Sequence, residues 1–304
     1  MRVHDYVIAL DVGASKVMAA RVCNQGRLEA LHQQKTPVCA ETGESLTCLA
    51  QIAQELMLPN RAPLALGIGV PGTVDIKAGQ CWCAPNLHWH RIDVARILTS
   101  QLEIPVFLDN DANAAAVAEH RLGAGRDRTH LLVITLGTGI GSGLILGGQL
   151  YRGAHGIAGE LGHVPVLDNG QVCNCGNRGC LETTFSALAL AEQASHTYKR
   201  RVRARDLIDW AQDGDAQAMA LLRRATSHLT QTLVGVVNLL DLELIVLGGG
   251  LASAGEIVRR PIAQTLASRV MPRPGPPIEV RLAECGPQAG VIGAGLIAWD
   301  GLLT

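Results

Sequence analysis

The pattern of apolar and polar positions changes period several times along the chain and predicts alternating strands and helices. Mostly apolar stretches at 7–12 and 17–22 predict two buried strands, and the turn Asn24-Gln25-Gly26 leads into a third. The next apolar residues recur at helical spacing: Leu46, Leu49, Ile52, Ala53 and Leu56. This order of elements is typical of an α/β protein.

The following segments continue the alternation. From residue 64 the pattern predicts, in order, a strand at 64–70 ending in Pro71-Gly72, a loop carrying Asp75 and Asn86, a helix near 92–102, a strand at 106–108 and a helix from Asp111. Further on it predicts helices over roughly 182–239, a strand at 243–247 that runs into residues 248–250, and a helix from 288 to the end.

Residues 129–151 contain no Asp, Glu, Lys or Arg and are long enough to cross a bilayer. Six glycines interrupt this segment: Gly137, Gly139, Gly141, Gly143, Gly147 and Gly148. We therefore expect a strand, a glycine turn at 137–143 and a second strand, with no transmembrane helix.

A faint internal repeat links the two ends of this pattern. Residues 8–13 can be laid over residues 134–139 at an offset of 126, and in both an apolar strand enters a glycine turn and leaves as another apolar strand. Two unrelated β-hairpins would give the same pattern. Alternatively, two similar α/β halves would each offer backbone N–H groups to one phosphate chain, as such turns form concavities that bind anions.

Composition excludes several classes of protein. The 304 residues hold 26 Lys plus Arg against 27 Asp plus Glu, and 48% of the chain is apolar, which excludes a disordered chain. The net charge of -1 favours neither a nucleic-acid nor an anionic-membrane surface. The length suits about two domains. Because the apolar run before Asp11 is too short for a signal peptide, we expect a cytoplasmic protein whose nine cysteines are thiols or metal ligands.

The strongest local signal is a histidine followed by three clustered cysteines. His163 precedes the segment Cys173-Asn174-Cys175-Gly176-Asn177-Arg178-Gly179-Cys180. Three thiolates and one imidazole are the ligands of a closed, structural zinc site. A disulfide is the alternative, but it would pair only two of the three thiols. The other cysteines are expected to be ordinary core thiols: Cys23, Cys39, Cys48, Cys81, Cys83 and Cys285.

The chain contains candidate nucleotide-binding motifs that differ in how well they match known patterns. The chain has no Gly-Lys dipeptide, so a Walker A loop is excluded. Gly67-Ile68-Gly69-Val70-Pro71-Gly72 matches the dinucleotide pattern by letter, but no convincing helix follows Pro71, and we treat it as a decoy. Asp11-Val12-Gly13-Ala14-Ser15-Lys16 follows a strand and brings together a carboxylate, a hydroxyl and an ammonium group. This combination suits phosphate contact, although Lys16 could also be a simple turn residue.

A polar cluster, Asp109-Asn110-Asp111-Ala112-Asn113, lies between a predicted strand and an alanine-rich helix. Either aspartate could cap that helix. Capping alone does not require two carboxylates and two amides, and the cluster also suits hydroxyl recognition with one general base. Three further polar residues lie around the proposed zinc loop: Glu160, His163 and Glu182.

These motifs together resemble those of the ROK family of bacterial sugar kinases and sugar-responsive repressors. The matches, in chain order, are Asp11 to Lys16; Pro71-Gly72-Thr73-Val74-Asp75; Ala84-Pro85-Asn86-Leu87; Asn110-Asp111-Ala112-Asn113; Leu136-Gly137-Thr138-Gly139-Ile140-Gly141-Ser142-Gly143; Gly159-Glu160-Leu161-Gly162-His163; Cys173 through Glu182; and Leu247-Gly248-Gly249-Gly250. They run from about residue 7 to residue 295, and the zinc signature is the most specific of them.

The resemblance implies a two-domain, actin-like ATPase fold of the hexokinase and actin superfamily, with ribonuclease H-like halves and a ligand cleft between the domains. Residues 1–118 with a C-terminal helix at about 288–304 would form the smaller domain, and residues 119–287 the larger. ATP would bind Ala9, Leu10 and the first motif, the second motif extended through Leu144, Ile145 and Leu146, and Gly248, Gly249 and Gly250 on the adenosine side.

The resemblance also implies the reaction and its ligands. The hexose would be held by Gly72, Asn86, Asn110, Asp111, Glu160, His163 and Glu182. Asp111 would take the proton of the sugar 6-hydroxyl as it attacks the γ-phosphate of ATP, with Mg²⁺ bound to the nucleotide. A structural zinc ion on His163, Cys173, Cys175 and Cys180 would order the loop that carries the sugar contacts.

The expected activity is therefore ATP-dependent phosphorylation of glucose, allose or a related aldohexose. The resemblance also implies a homodimer, with neither nucleic acid nor membrane as a partner. Kinases of N-acetylmannosamine, N-acetylglucosamine or fructose are alternatives within the family, and a non-catalytic sugar-sensing regulator is another. The repressors carry an N-terminal winged helix before the first phosphate motif, which here begins within the first dozen residues. Ala14 and Ser15 depart from the usual glycine and threonine, which questions the local geometry and the ATP affinity.

Overall fold

A computed structural model describes residues 5–37 and 42–303. By their internal contacts, the described residues form two compact units. The first unit comprises Met1–Leu122, Leu150–Ala158 and Pro287–Thr304, and the second comprises Gly123–Gln149 and Gly159–Gly286. The segment Leu150–Ala158 is counted with the first unit, where Arg152 binds Asp109.

The first unit is built on a five-stranded sheet with the strand order β3-β2-β1-β4-β8. Its strands are β1 (Tyr6–Val12), β2 (Lys16–Cys23), β3 (Leu28–Lys35), β4 (Leu66–Val70), β5 (Thr73–Asp75), β6 (Gln80–Ala84), β7 (Trp89–Ile92) and β8 (Val106–Asn110). Its helices begin with α1 (Thr42–Glu55), α2 (Val94–Leu102) and α3 (Asp111–Arg121). Strand β1 is antiparallel to β2 and parallel to β4, which is parallel to β8.

The second unit repeats this sheet. Its sheet has the order β11-β10-β9-β12-β13 and contains β9 (Leu131–Leu136), β10 (Ile140–Leu146), β12 (Leu244–Gly248) and β13 (Glu279–Leu282). The edge strand β11 (Gln149–Tyr151) begins at the last residue of Gly123–Gln149 and continues into the segment that is counted with the first unit. Its helices are α4 (Glu182–Phe185), α5 (Ala187–Tyr198), α6 (Ala204–Gln212), α7 (Ala216–Leu240) and α8 (Glu256–Arg269). Strand β9 is antiparallel to β10 and parallel to β12. The repeat in the sequence therefore reflects two similar α/β halves, and the interpretation as two unrelated hairpins is wrong.

The last helix, α9 (Ala289–Gly301), belongs to the first unit and is buried on every side from Ala289 to Trp299. Such all-round apolarity is typical of a central helix. A Cβ at Gly293 would overlap the carbonyl of Ala114 in α3, so glycine permits the two helices to pack backbone against backbone. Part of the high glycine content thus serves packing and not turns.

Three details differ from the pattern-based expectations. The loop expected after Pro71 contains a small antiparallel sheet, β5-β6-β7. The second glycine turn covers only residues 137–139, because β10 already begins at Ile140. Helix α8 and strand β13 are additional elements. Gly67 lies inside β4 and no helix follows Pro71, which confirms that the dinucleotide-like pattern is a decoy.

Among the described residues, no helix has both the length and the apolarity that a membrane span needs. The uncharged segment at 129–151 forms the two expected strands, β9 and β10, and a third, β11, that the pattern did not predict.

Candidate functional site

In the first unit, three parallel strands bring the predicted polar residues together. The register of β1, β4 and β8 places Asp11 beside Gly69 and Gly69 beside Asp109. Asn110 and Asp111 follow at the end of β8 and the start of α3. The carboxyl ends of parallel strands in open α/β sheets commonly bind ligands. The first unit therefore has its candidate site at this edge.

Asn110 fixes the first turn of α3. Its side-chain oxygen accepts hydrogen bonds from the N–H groups of Ala112 at 2.9 Å and Asn113 at 3.1 Å, which makes Asn110 the N-cap of the helix. Its side-chain amide donates to the carbonyl of Gly72 at 2.9 Å. The alternative that one of the two aspartates caps this helix is therefore wrong, because the cap is Asn110. The Asp111 carboxylate follows at the first position of the helix, where its Oδ1 accepts from the Ala112 N–H at 2.8 Å.

Asp11 lies in an electrostatically unfavourable place for a carboxylate. Burial and the nearby charge of Asp111 raise the pKa of Asp11 to about 7, although Lys16 opposes this shift. A Cβ at Gly290, in the first turn of α9, would overlap the Asp11 carboxyl group. Two carboxyl groups that repel one another at the edge of the sheet favour binding of a cation or of a cation-bound ligand.

The first predicted phosphate turn connects β1 to β2. The Gly13 N–H donates to the carbonyl of Lys16 at 2.9 Å, and the Thr36 hydroxyl donates to the carbonyl of Gly13 at 2.6 Å. Neither Gly13 nor Ala14 has a positive φ. The turn therefore needs no left-handed residue, which removes the conformational objection to alanine at position 14. Ala9, Leu10 and Val12 are buried in the core, so only Asp11 gives β1 a polar side chain near this turn.

The remaining two predicted hexose contacts of the first unit lie on the connection after β4. Gly72 has a φ of +87°, and a Cβ there would overlap the carbonyl of Cys83, so this position requires glycine. Asn86 is exposed within a 3₁₀ turn at Pro85–Leu87.

In the second unit, two glycine turns lie at the carboxyl ends of neighbouring parallel strands. Residues 137–139 follow β9 and residues 248–250 end β12, and the register pairs Gly248 with Thr135. Gly249 has a φ of +82°, and a Cβ there would press on the backbone of Leu136 at 2.5 Å. Both turns can therefore offer backbone N–H groups at one edge of the second sheet.

Strand β10 contains the rest of the second phosphate motif. The side chains later in this strand pack in the core and do not line the turn. Leu144 and Ile145 are buried in the core of the second unit, and Leu146 is half-buried against it. The buried Ser142 hydroxyl donates to the carbonyl of Gly159. The polar edge of this motif is thus limited to the turn itself and the start of the strand, with Thr138 exposed.

The predicted metal ligands form one cluster. One ligand atom from each of His163, Cys173, Cys175 and Cys180 lies within 4.8 Å of all the others. The Cys173 Sγ lies 3.5 Å from His163 Nδ1, and the Cys175 and Cys180 sulfurs are 3.6 Å apart. Two thiolates on one tetrahedral zinc ion, each at about 2.3 Å, would be about 3.8 Å apart. The donor set and its spacing therefore fit zinc.

The local fold of the cysteine loop supports this fit. The described cysteines are all free thiols, so the disulfide alternative is not the one that the structure adopts. Burial and the neighbouring thiols Cys175 and Cys173 raise the pKa of Cys180 to about 12, which a bound cation would reverse. Gly176 and Gly179 both have positive φ, and a Cβ at Gly179 would overlap the carbonyl of Leu167. The two glycines thus allow the tight turns that bring the ligand atoms together.

Two carboxylates, Glu160 and Glu182, lie beside this cluster and its ligand His163. His163 Nε2 lies 3.8 Å from a Glu160 carboxylate oxygen, while its Nδ1 faces Cys173. Burial raises the pKa of Glu160, and the charge of Glu182 adds to the effect while His163 opposes it. The Glu182 carboxylate accepts a hydrogen bond from the Ile140 N–H at 2.9 Å. The structure therefore brings Glu160, His163 and Glu182 together beside the metal ligands, as expected.

Two partnerships, one in each unit, were not predicted. Arg152 binds the buried Asp109 carboxylate, and Glu182 is bonded to the start of β10. Both partnerships join residues more than 40 positions apart, for which the sequence carries no periodic signal. Of the cysteines expected in the core, Cys23 and Cys81 are buried, Cys48, Cys83 and Cys285 are half-buried, and Cys39 lies outside the described residues.

Comparison with known proteins adds three findings. The chain is 33% identical to a glucokinase of Thermotoga maritima over 306 residues, covering 96% of each chain. A crystal structure of a ROK family glucokinase from Streptomyces griseus, in complex with glucose and AMPPNP, superposes with a TM-score of 0.85 at 31% identity and covers 97% of this chain and 100% of that one. A xylose repressor of Bacillus spizizenii is 32% identical over 240 residues, or 79% of this chain and 62% of the repressor.

The two repeated sheets and the structural neighbours define an actin-like α/β fold of the sugar-kinase class. The family model described as ROK family matches residues 7–300. The chain belongs to the ROK family.

Proposed function

We propose that this protein is an ATP-dependent hexose kinase that produces a sugar 6-phosphate and ADP, with Asp111 as the general base. The observation that carries the proposal is the position of Asp111: it follows β8 directly, beside Asp11, and its neighbour Asn110 caps α3 in its place. The similarity to a glucokinase that binds glucose and AMPPNP supplies the substrate class.

In the proposed reaction, the hexose takes hydroxyl contacts from Gly72, Asn86 and Asn110. The Asp111 carboxylate accepts the proton of the sugar 6-hydroxyl, whose oxygen forms the new bond to the γ-phosphorus of ATP. The bond between that phosphorus and the β,γ-bridging oxygen breaks, and ADP leaves with the electron pair. A general base of this kind contributes about 10²–10⁴-fold to the rate.

The nucleotide would use the glycine turns for alignment. We assign the phosphates to residues 9–16 and 137–146 and the adenosine side to residues 248–250. Mg²⁺, when bound with ATP, supplies charge neutralisation on the phosphates. Asp11 is the carboxylate that we assign to the cation, because burial beside Asp111 makes its lone negative charge unfavourable without one.

We propose a structural role for the metal cluster. His163, Cys173, Cys175 and Cys180 would hold one zinc ion with a closed set of four ligands. The ion would order the loop that presents Glu160, His163 and Glu182 to the sugar. With Nδ1 assigned to the metal, the other ring nitrogen of His163 stays on the side of Glu160 and can meet a sugar hydroxyl.

Glucose or a related aldohexose is the sugar that we propose, since curated relatives at 29–33% identity are glucokinases. N-acetylmannosamine, N-acetylglucosamine and fructose are the alternatives. We also propose that the protein is a homodimer and is located in the cytoplasm. Light scattering coupled to gel filtration tests the oligomeric state.

A regulator that binds sugar without turnover is the second candidate function. The similarity to the Bacillus spizizenii xylose repressor over 79% of this chain favours it. The presence of Asp111 and both glycine turns favours the kinase.

A coupled ADP-release assay separates the two. The purified protein is given ATP, Mg²⁺, zinc and each member of a panel of aldohexoses, N-acetylhexosamines and fructose. The kinase predicts turnover on at least one aldohexose, with the 6-phosphate as product. Binding of a sugar without release of ADP on any member of the panel would favour the regulator.

A further inference from the structure

Asp109 is a fully buried carboxylate two residues before the proposed base. It is 1% exposed, and both of its oxygens are bonded. Oδ1 accepts hydrogen bonds from the N–H of Asn110 at 2.8 Å and from the side-chain amide of Asn113 at 2.9 Å. Oδ2 accepts from Arg152 through Nε at 2.8 Å and Nη2 at 2.7 Å. Asp109 thus connects an arginine to the first turn of α3.

Arg152 reaches this position from the segment Leu150–Ala158, far from β8 along the chain. The segment folds back on itself, since the Ala158 N–H donates to the carbonyl of Arg152 at 3.1 Å. Gly156 has a φ of +79°, and a Cβ there would press on the carbonyl of Val74 at 2.6 Å. The segment therefore lies tightly against the first unit, and Arg152 is held in place.

The charge on Asp109 requires this partner. A buried carboxylate that loses its cation is left with an uncompensated charge, which destabilises its surroundings strongly. Among residues 5–37 and 42–303, Arg152 is the cation that is bonded to Asp109. Its planar guanidinium gives two donors to one oxygen, which a lysine cannot reproduce with the same geometry.

The position of Asp111 depends on the same contacts. Asp109 holds the Asn110 N–H and the Asn113 side chain, while Asn110 bridges Gly72 and the N–H groups of the helix start. The Cα of Asp111 lies 3.4 Å from the place of a Cβ on Gly69. The residues on both sides of Asp111 are therefore held in place. The Asp109 carboxylate contributes by binding Asn110 before it and Asn113 after it.

We propose that Arg152 is a positioning residue for the proposed base: by binding Asp109 it holds the 109–113 turn in the geometry in which Asp111 can take the hydroxyl proton. The proposal rests on the proposed kinase function for its chemistry. Arg152 touches neither the sugar nor the phosphates in this role and acts only through Asp109.

The test compares four variants with the wild type: Arg152→Ala, Arg152→Lys, the double variant Arg152→Ala/Asp109→Asn, and Arg96→Ala as a control. Arg96 also pairs with an aspartate, Asp93, but on the surface. Kinetics are measured on the sugar that the panel identifies, at temperatures below each variant's unfolding transition, with and without added guanidinium ion.

We expect kcat of Arg152→Ala to fall by about 10²-fold, as misplacement of a reacting group by about 1 Å does, while KM for ATP stays within about twofold. Guanidinium should restore part of kcat, and Arg152→Lys should have a kcat between those of the wild type and Arg152→Ala. The double variant should have a higher kcat than Arg152→Ala, because it leaves no buried charge unpaired. Wild-type kcat in Arg152→Ala, or a loss that neither guanidinium nor Asp109→Asn relieves, would overturn the proposal.

Failure of the kinase function gives a different result, because the wild type then releases no ADP with any sugar. The positioning of the turn is in that case read from hydrogen exchange. Amide exchange over 109–113 should rise in Arg152→Ala and not in Arg96→Ala. Unchanged exchange in that segment would overturn the role of Arg152 independently of any activity.

Discussion

The Glu182 carboxylate accepts a hydrogen bond from the backbone N–H of Ile140 at 2.9 Å, and thereby ties the cysteine loop to the second glycine turn. Cys180, a member of the metal cluster, lies two residues before Glu182. At the other end of the short helix α4, the Ala187 N–H donates to the carbonyl of Gly137 at 2.9 Å. The segment from Cys180 to Ala187 therefore holds both ends of the 137–139 turn.

Replacement of Glu182 by alanine should loosen this turn. The Ile140 N–H would lose its acceptor in a residue that is 5% exposed, which costs about 1–3 kcal/mol in the free energy of unfolding. We also expect weaker binding of MgAMPPNP, measured by calorimetry without sugar. Glu192→Ala, which removes an exposed carboxylate from α5, is the control. Equal nucleotide affinity in the two variants would contradict the coupling.

Substitution of one cluster thiol should remove the metal before it removes the fold. Cys175→Ser loses one of four ligands, and we expect zinc measured by atomic emission to fall from about one ion per chain to a small fraction of that. Sugar binding should weaken with it, while the far-ultraviolet dichroism is retained. Cys285→Ser, outside the cluster, should keep the zinc. Normal zinc content and activity in Cys175→Ser would refute the ligand assignment.

The stability of the ligand-free protein should depend on pH through Asp11. Its pKa of about 7 lies above the ordinary value of 3.8, so the folded state holds more protons between these values. The free energy of unfolding therefore falls as pH rises from about 4 to 7, by at most about 4 kcal/mol, and this contribution is constant above pH 7. Asp11→Asn should lack this slope and be more stable than the wild type at pH 8.

Urea unfolding at several pH values, without ATP and Mg²⁺, measures the effect. Asp209→Asn, at an exposed carboxyl on α6, should keep the wild-type slope. An Asp11→Asn variant that is no more stable than the wild type at pH 8 would show that Asp11 is not the strained carboxyl.

A methyl group at Gly290 should displace Asp11 without changing the fold. The Cβ of Gly290→Ala would overlap the Asp11 carboxyl group, so that side chain has to move. We expect a loss of kcat by about 10-fold or more, since alignment within about 1 Å matters for catalysis. Gly235→Ala, in an open position of helix α7, is the matched control and should be neutral or slightly stabilising. Equal kinetics for both variants would exclude a role for the Asp11 position.

Much of the fold could be predicted because its signals are local. The first strands, the helix at Thr42–Glu55, the start of α3 and the terminal helix all follow from apolar periodicity and appear close to their expected limits. The topology of the two halves followed from a repeat, and the family and fold implied by the motifs are confirmed.

Other elements could not be predicted because their signals conflict. Helix α8 contains Pro261, which usually interrupts a helix, yet Val258, Ile262 and Leu266 are buried at helical spacing on one face. That spacing was the available signal. Strands β5 to β7 are short and become a sheet only by pairing with one another.

The candidate site divides in the same way. Its ligating and acidic residues are recognisable by type and spacing, as with His163 and the cysteine loop. The contacts that orient them are long-range: Arg152 with Asp109, and Glu182 with Ile140. Because tertiary structure alone brings these partners together, no pattern in the sequence indicates them.

The central claim is tested most directly by the turnover and sugar binding of Asp111→Asn, measured side by side with the wild type and with Asp209→Asn. The account predicts that the wild type and the control form hexose 6-phosphate from ATP. It predicts that Asp111→Asn binds the same sugar within a few-fold but loses about 10²–10⁴-fold in kcat, the contribution of a general base. Full activity of Asp111→Asn, or no ADP release by the wild type with any sugar, would contradict it.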